Sequence, residues 1–164
     1  MRWGRASAVA VAAATVLLSG PTLTAVASTG HGSISVAGAQ HGSWRLTLGG
    51  QCRVNHFGAY LYGTHAASDG SVTYGYPVLI VDRIRAGASG KSVNLATDKA
   101  FKITYTGAGG EEWLAGWNKK HVGSGHLTIS ASFRNGKVKT TMKRVTGVIH
   151  RAIKVTAIWS CPAS

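Results

Sequence analysis

Apolar and polar positions alternate along much of this chain, and the alternation is interrupted by Gly, Asn and Asp rather than replaced by helical spacing. Trp44, Leu46, Leu48, Gly50, Cys52 and Val54 alternate with Arg45, Thr47, Gln51 and Arg53, the period-2 signature of a half-buried strand. After Ser68-Asp69-Gly70, the stretch SVTYGYPVLIVDRI carries an unbroken apolar run from Val78 to Val81, which predicts a strand buried on both faces. Pro77 has no N–H to give to a ladder, so that strand is expected to begin near it or to lie at an edge there. KSVNLA and AFKITYTG are two shorter strand candidates. In the last segment, IKVTAIWSC, alternation places Ile153, Val155, Ala157, Trp159 and Cys161 together and inward. The 22 glycines fit many tight turns better than long helices.

The stretch FRNGKVKTTMKR, Phe133 to Arg144, reads as half of a hairpin. Asn135-Gly136 is the dipeptide favoured by a type I′ turn, because both central positions need positive φ. That turn pairs Phe133 with Val138, Ala131 with Thr140 and Ile129 with Met142 on an apolar face that Leu127 continues. The opposite face then carries Arg134 beside Lys137, Ser132 beside Lys139, and Thr128 beside Lys143. Arg144 falls on the apolar side, so regular pairing is expected to end there. One segment predicts a helix instead. EEWLAGWNKKH places Trp113 and Trp117 four apart with Leu114 beside them. Glu111 and Glu112 at its start, and Lys119, Lys120 and His121 at its end, would complement a helix dipole. The expected fold is therefore mostly β: a small antiparallel sandwich or curled sheet with one short helix.

The first residues change how the composition is counted. Arg2 and Arg5, the apolar stretch Ala8 to Leu18, and Ala25-Val26-Ala27 have the layout of a secretory signal peptide over residues 1–27. The apolar run is too short to span a bilayer comfortably, and no later segment resembles a transmembrane helix. No cysteine follows the run, so no lipid-modified N-terminus is expected. Residues 28–42, rich in Gly and Ser, read as a flexible mature N-terminus, and 43–164 as a single β domain. Removing the signal takes Arg2 and Arg5 from 18 basic residues, leaving 16 against 5 acids and a net charge of +11. From Trp113 onward there are nine Lys or Arg and no acid. A one-sign surface of this kind implies an anionic partner, since solubility alone is served by mixed charge.

Cys52 and Cys161 are the only two cysteines, and in an oxidising compartment they are expected to form one disulfide between an early strand and the last. Catalytic chemistry is sparse. Asp69 stands in a turn, Asp98 in a loop, and Asp82, beside Arg83 and Arg85, is expected to form an ion pair at a strand end. No pair of carboxylates converges as glycoside hydrolysis needs. The seven histidines show no H-E-x-x-H or comparable ligand spacing, so neither a metal nor another cofactor is expected. They remain a pH-dependent supplement to the positive charge. Tyr60/Tyr62 and Tyr74/Tyr76 would each point to one face of a strand, as an aromatic platform for sugars or bases or as an ordinary half-buried sheet face.

The order of features has a further implication. A signal peptide precedes a β domain with LGGQCRV early, GKSVNLA in the middle, the hairpin stretch GSGHLTISASFRNGKV, and IKVTAIWSC at the end. This layout resembles the mycobacterial nineteen-kilodalton lipoprotein antigen family, over roughly Ser33 to Cys161. The resemblance implies a secreted or cell-envelope antigen of non-enzymatic character, with Cys52 and Cys161 as the matching disulfide. The chain departs from the family in lacking the lipobox cysteine, in its Trp-rich insertion and in its basicity, so lipid anchoring is not carried over. Residues and resemblance lead to one expectation: an exported, non-enzymatic protein whose basic face binds acidic lipid, a phosphate-bearing polymer or nucleic acid. Arg134, Lys137, Lys139 and Lys143 are its candidate contacts, with Arg144, Lys119 and Lys120 as neighbours. The alternatives are a small secreted hydrolase such as a nuclease, using a histidine with Asp82 or a Glu, and a protein-binding module using a loop such as GTHAASDG.

Overall fold

The computed structural model describes residues 30–47, 51–66, 72–85, 91–145 and 151–162. These form twelve antiparallel strands: β1 (His31–Gly38), β2 (Gly42–Leu46), β3 (Cys52–Asn55), β4 (Gly58–Ala66), β5 (Val72–Arg83), β6 (Lys91–Asn94), β7 (Phe101–Thr106), β8 (Glu112–Asn118), β9 (Lys120–Val122), β10 (Ser124–Ile129), β11 (Asn135–Arg144) and β12 (Ala152–Ser160). The signal segment and the Ser68-Asp69-Gly70 turn lie outside the described residues. The main path of the sheet runs β2-β1-β12-β11-β8-β7-β5-β4-β3, with β10 and β6 branching from β11 and β9 folding back on β8. Alternation fills one face: Ile34, Leu61, Leu79, Ile103, Leu127 and Val155 are all fully buried. A sheet this long must curl to cover that face, and it curls almost into a barrel.

The two ends of the path, β2 and β3, are consecutive in the chain, which brings the edges together. Among the described residues no backbone ladder joins them, and the side chain of Gln51 spans the gap. Its Oε1 accepts from Thr47 N–H at 2.8 Å, while Nε2 donates to Arg45 O in β2 and Tyr62 O in β4, both at 3.3 Å. Alternation placed Gln51 on the polar side; it is instead 1% exposed. Next to it, Cys52 and Cys161 form the expected disulfide, with Cα atoms 5.3 Å apart across a separation of 109 residues. It ties β3 to the end of β12.

Four expectations are corrected. Residues 28–42 are not a free arm: His31–Gly38 forms β1, paired along its length with β12 and over Gly32–Val36 with β2. The segment expected to be helical is β8, and among the described residues there is no helix. Trp113 and Ala115 point inward opposite Tyr105 and Ile103 of β7, while β9 returns along β8 and Leu114, on the other face, is also buried. A strand covered on both sides is apolar at consecutive positions, which mimics a helical stripe. Gly116, at φ +91° and close against Phe101 O, belongs to that strand.

The reverse correction applies to β5. Leu79 and Val81 are fully buried, but Val78 and Ile80 are only half-buried, so the run is not covered on both faces. Pro77 lies inside β5, where the register against β4 slips between Tyr62 and Gly63. The slip accommodates the missing N–H in a bulge rather than at the strand's start.

The hairpin forms around a different turn. Ile129 pairs with Gly136, and Leu127 with Val138, so residues 130–134 make the connection and Asn135-Gly136 opens β11. Ser130 N–H donates to Asn135 O, Asn135 N–H to Ser130 Oγ, and Phe133 N–H to Ser130 O. Gly136 is used for close packing, since a Cβ there would collide with the Trp159 indole. That indole donates from Nε1 to Phe133 O at 3.0 Å, and Phe133, at φ 61°, takes the left-handed position. Ala131, expected inward, is exposed in the turn. The partner of Ile129 moves from Met142 to Gly136, an even number of residues, so every strand side chain keeps its face. Leu127, Ile129, Val138 and Met142 are buried, whereas Lys137, Lys139 and Lys143 are exposed.

The seam makes stability sensitive to two local changes. Gln51→Ala leaves buried backbone groups without partners and is expected to cost about 1–3 kcal/mol, and removing the disulfide with paired Ala substitutions about 2–5 kcal/mol. Urea unfolding measures both. A Gln51→Ala protein as stable as the parent would refute the role given to that amide.

Candidate anion-binding face

Strands β1, β2, β6, β10, β11 and β12 contain no Asp or Glu. Their outer face carries Arg45, His126, Lys137, Lys139, Lys143 and Lys154, all exposed. Register sets their neighbours. Thr156, Lys139, His126 and Asn94 stand in one cross-strand row, and Ile158, Lys137, Thr128 and Ser92 in the next. Lys137 and Lys139, two positions apart on β11, are about 7 Å apart along the strand. Two shallow troughs run over this surface. One, of about 570 Å³, is lined by Ser35, Ser124, His126, Lys139, Lys154 and Thr156 among others, and a larger one, of about 730 Å³, has Lys137, Thr128 and Ile158 in its wall. Cations flanked by hydroxyl donors, with no acid on the same strands, suit an anion.

The sequence-derived contacts divide. Lys137, Lys139 and Lys143 lie on this face. Arg134 sits in the 130–134 turn, half-buried, where its carbonyl accepts Cys161 N–H at 2.7 Å. Lys119 forms the β8–β9 turn at φ 60° and Lys120 begins β9. Lys120, His121, Lys143 and Arg144 line a separate cleft of about 420 Å³ with Leu114, Val122 and Val145. Lys154 and His126 were missed because their proximity to Lys139 depends on strands distant in sequence, although alternation in IKVTAIWSC already turns Lys154 outward.

The aromatic pairs fare unequally. Tyr60 and Tyr62 share the outer face of β4, half-buried, with the Arg53 guanidinium 5.8 Å from the Tyr62 ring centre. The side chain of Tyr74 lies outside the described residues, and Tyr76 is exposed in the β5 bulge. Neither pair adjoins the lysine rows along the sheet.

Asp82 forms its ion pair with Lys102, its cross-strand neighbour in β7, at 3.4 Å. Arg83 instead donates to His56 O and lies over Phe133. Glu111 accepts from Gln40 Nε2 at 2.8 Å and borders a cleft of about 280 Å³ with His41, Trp44 and Tyr105. Among the described residues no group of three or more His, Cys, Asp or Glu converges as metal ligands would, and no helix is long and apolar enough to cross a membrane.

No protein-family model, curated protein or solved structure matches this chain.

Burial, and then the Glu111 carboxylate, push the Tyr105 phenol from its ordinary 10.0 up to about 12. The folded state therefore holds the phenol proton more tightly than the unfolded chain. Its contribution is intact below pH 10 and is lost as pH rises toward 12. Thermal melts across that range are expected to fall, and Tyr105→Phe to flatten the fall; an unchanged slope in the variant would contradict the assignment.

Proposed function

We propose that this is an exported, non-enzymatic protein that holds a phosphate-bearing envelope polymer against the outer face of β10, β11 and β12. The observation that carries the reading is the segregation of charge: six strands bear no acid and four of them, β2, β6, β11 and β12, carry exposed Lys or Arg, whereas Asp82 and Glu112 stand on β5 and β8. Cations repeating along a strand suit a chain of repeating charges. A lipid surface is favoured less, because of the large exposed apolar side chains Phe57, Tyr76, Ile84, Val145 and Ile158, only Ile158 belongs to the lysine rows. Nucleic acid would engage the same cations, but the aromatic pairs that could stack bases lie elsewhere on the sheet. Kinship with the nineteen-kilodalton lipoprotein antigens belongs to this reading, supported by the disulfide between an early strand and the end of the last. Export is supported by the signal-like N-terminus and by that same disulfide.

Binding of this type releases counterions and weakens with salt, by a slope of roughly 0.7–0.9 per phosphate contact in the nucleic-acid case. Changing Lys137, Lys139 and Lys154 together to Gln is expected to lower the log–log salt slope of retention on a glycerol-phosphate polymer by about 2. Retention and slope both unchanged would defeat the proposal. Preferential binding to anionic vesicles or RNA would reassign the ligand.

A second reading, a small hydrolase, is favoured by the cleft that Glu111 and His41 both line, beside Trp44 and Tyr105. On that reading Glu111→Gln abolishes cleavage of RNA or ester substrates by the purified protein. Absence of any such cleavage in the parent would exclude it for those substrates.

A further inference from the structure

We propose that the cleft between β9 and the end of β11 is a seat for a single phosphate group, held by Arg144 and Lys143 on one wall and Lys120 and His121 on the other. This rests on the polymer reading and places one phosphate of that ligand at a defined point, apart from the lysine rows.

The chain arrives at this arrangement by three local steps. Lys119, at φ 60°, lets the short β9 turn back and pair beside β8, on the same edge that β11 uses, which brings Lys120 and His121 to the cleft; Gly123, at φ 64°, then leads the chain on into β10. His121 is steadied there against Trp117, ring centres 4.8 Å apart, and Trp117 is itself capped by Lys99 Nζ at 4.9 Å. On the other side β11 crosses from pairing with β10 to pairing with β8, so Lys143 stands opposite Leu114 and Arg144 opposite Trp113. The next residue fixes the end of the strand, since Val145 N–H donates to Glu112 O at 3.0 Å.

The result is a cleft of about 420 Å³ with an apolar floor, cationic walls and no carboxylate in its lining. Arg144 is the residue that pattern alone made a misfit. By alternation it belongs to the inner face, yet it borders this outer cleft, and its Nε is buried without a hydrogen-bond partner. Its cross-strand neighbour Trp113 also keeps a buried Nε1 without a partner. An N–H donor without an acceptor, in a cleft whose lining carries cations and no carboxylate, calls for an acceptor-rich anion. A guanidinium presents its donors in a fork that matches a phosphate bidentately, and the ammonium groups add charge without that geometry.

The test uses the folded full chain and inorganic phosphate as probe, followed through the Arg144 Nε–H resonance by NMR. Phosphate is expected to shift that resonance saturably, and calorimetric titration, which does not depend on the Arg144 signal, to show Arg144→Gln and Lys120→Gln each weakening binding tenfold or more. Lys137→Gln with Lys139→Gln is expected to leave phosphate binding unchanged while weakening polymer retention. That separation distinguishes the two ideas: loss of the lysine-row effect alone would sink the polymer reading, and loss of the Arg144 effect alone would sink this one. Lys120 is exposed on a short outer strand, so its variant keeps the test decisive should Arg144→Gln fail to fold. An Arg144 signal indifferent to phosphate, or phosphate affinity in both cleft variants equal to the parent's, would overturn the assignment. So would phosphatidylglycerol vesicles competing through Arg144 where soluble glycerol-phosphate polymer does not, because the phosphate would then come from a lipid.

Discussion

A long sheet whose first and last path strands are neighbours in the chain has to close on itself, and among the described residues no backbone ladder joins the two edges. The buried amide of Gln51 supplies what the ladder would have: it accepts from Thr47 and donates to carbonyls of β2 and β4. Beside it the Cys52–Cys161 bond holds β3 to the end of β12. The curvature that covers Leu61, Leu79, Ile103 and Val155 on the inside depends on that seam. The same curvature turns the lysines of β11 and β12 outward.

Closure also explains how charge becomes segregated. β1, β12, β11 and β10 are side by side, so acid-free stretches far apart in sequence merge into one surface. Asp82 is carried to β5 and neutralised by Lys102, and Glu111 is held by Gln40 at a separate cleft. Neither reduces the field over the lysine rows at close range. The chain thus presents a broad cationic surface and, at the β8–β11 crossing, a compact cationic cleft in which Arg144 is poorly partnered.

Much of the architecture was legible from alternation. Ile153, Val155, Ala157 and Trp159 point inward as the pattern indicates, and so do Leu127, Ile129, Val138 and Met142 despite a shifted register. Face assignment survives any even slip, because side chains repeat every second residue. Turn chemistry was less secure: the glycine after Asn135 serves the Trp159 ring, not a left-handed turn. β8 was misread because strands covered on both sides lose their alternation, as the consecutive buried positions Trp113 to Gly116 show, and that cover is a tertiary feature.

Strand character, the buried set, the disulfide and the excess of positive charge follow from residue types and their period, which are local properties of the chain. Neighbours across the sheet do not. Whether Lys139 stands beside Ser132 or His126, whether Gln51 faces water or clasps a seam, and whether Arg144 ends a strand idly or borders a cleft all depend on pairings between segments distant in sequence. Those pairings are chosen by the packing of the whole curled sheet, since only its closure determines which edges meet.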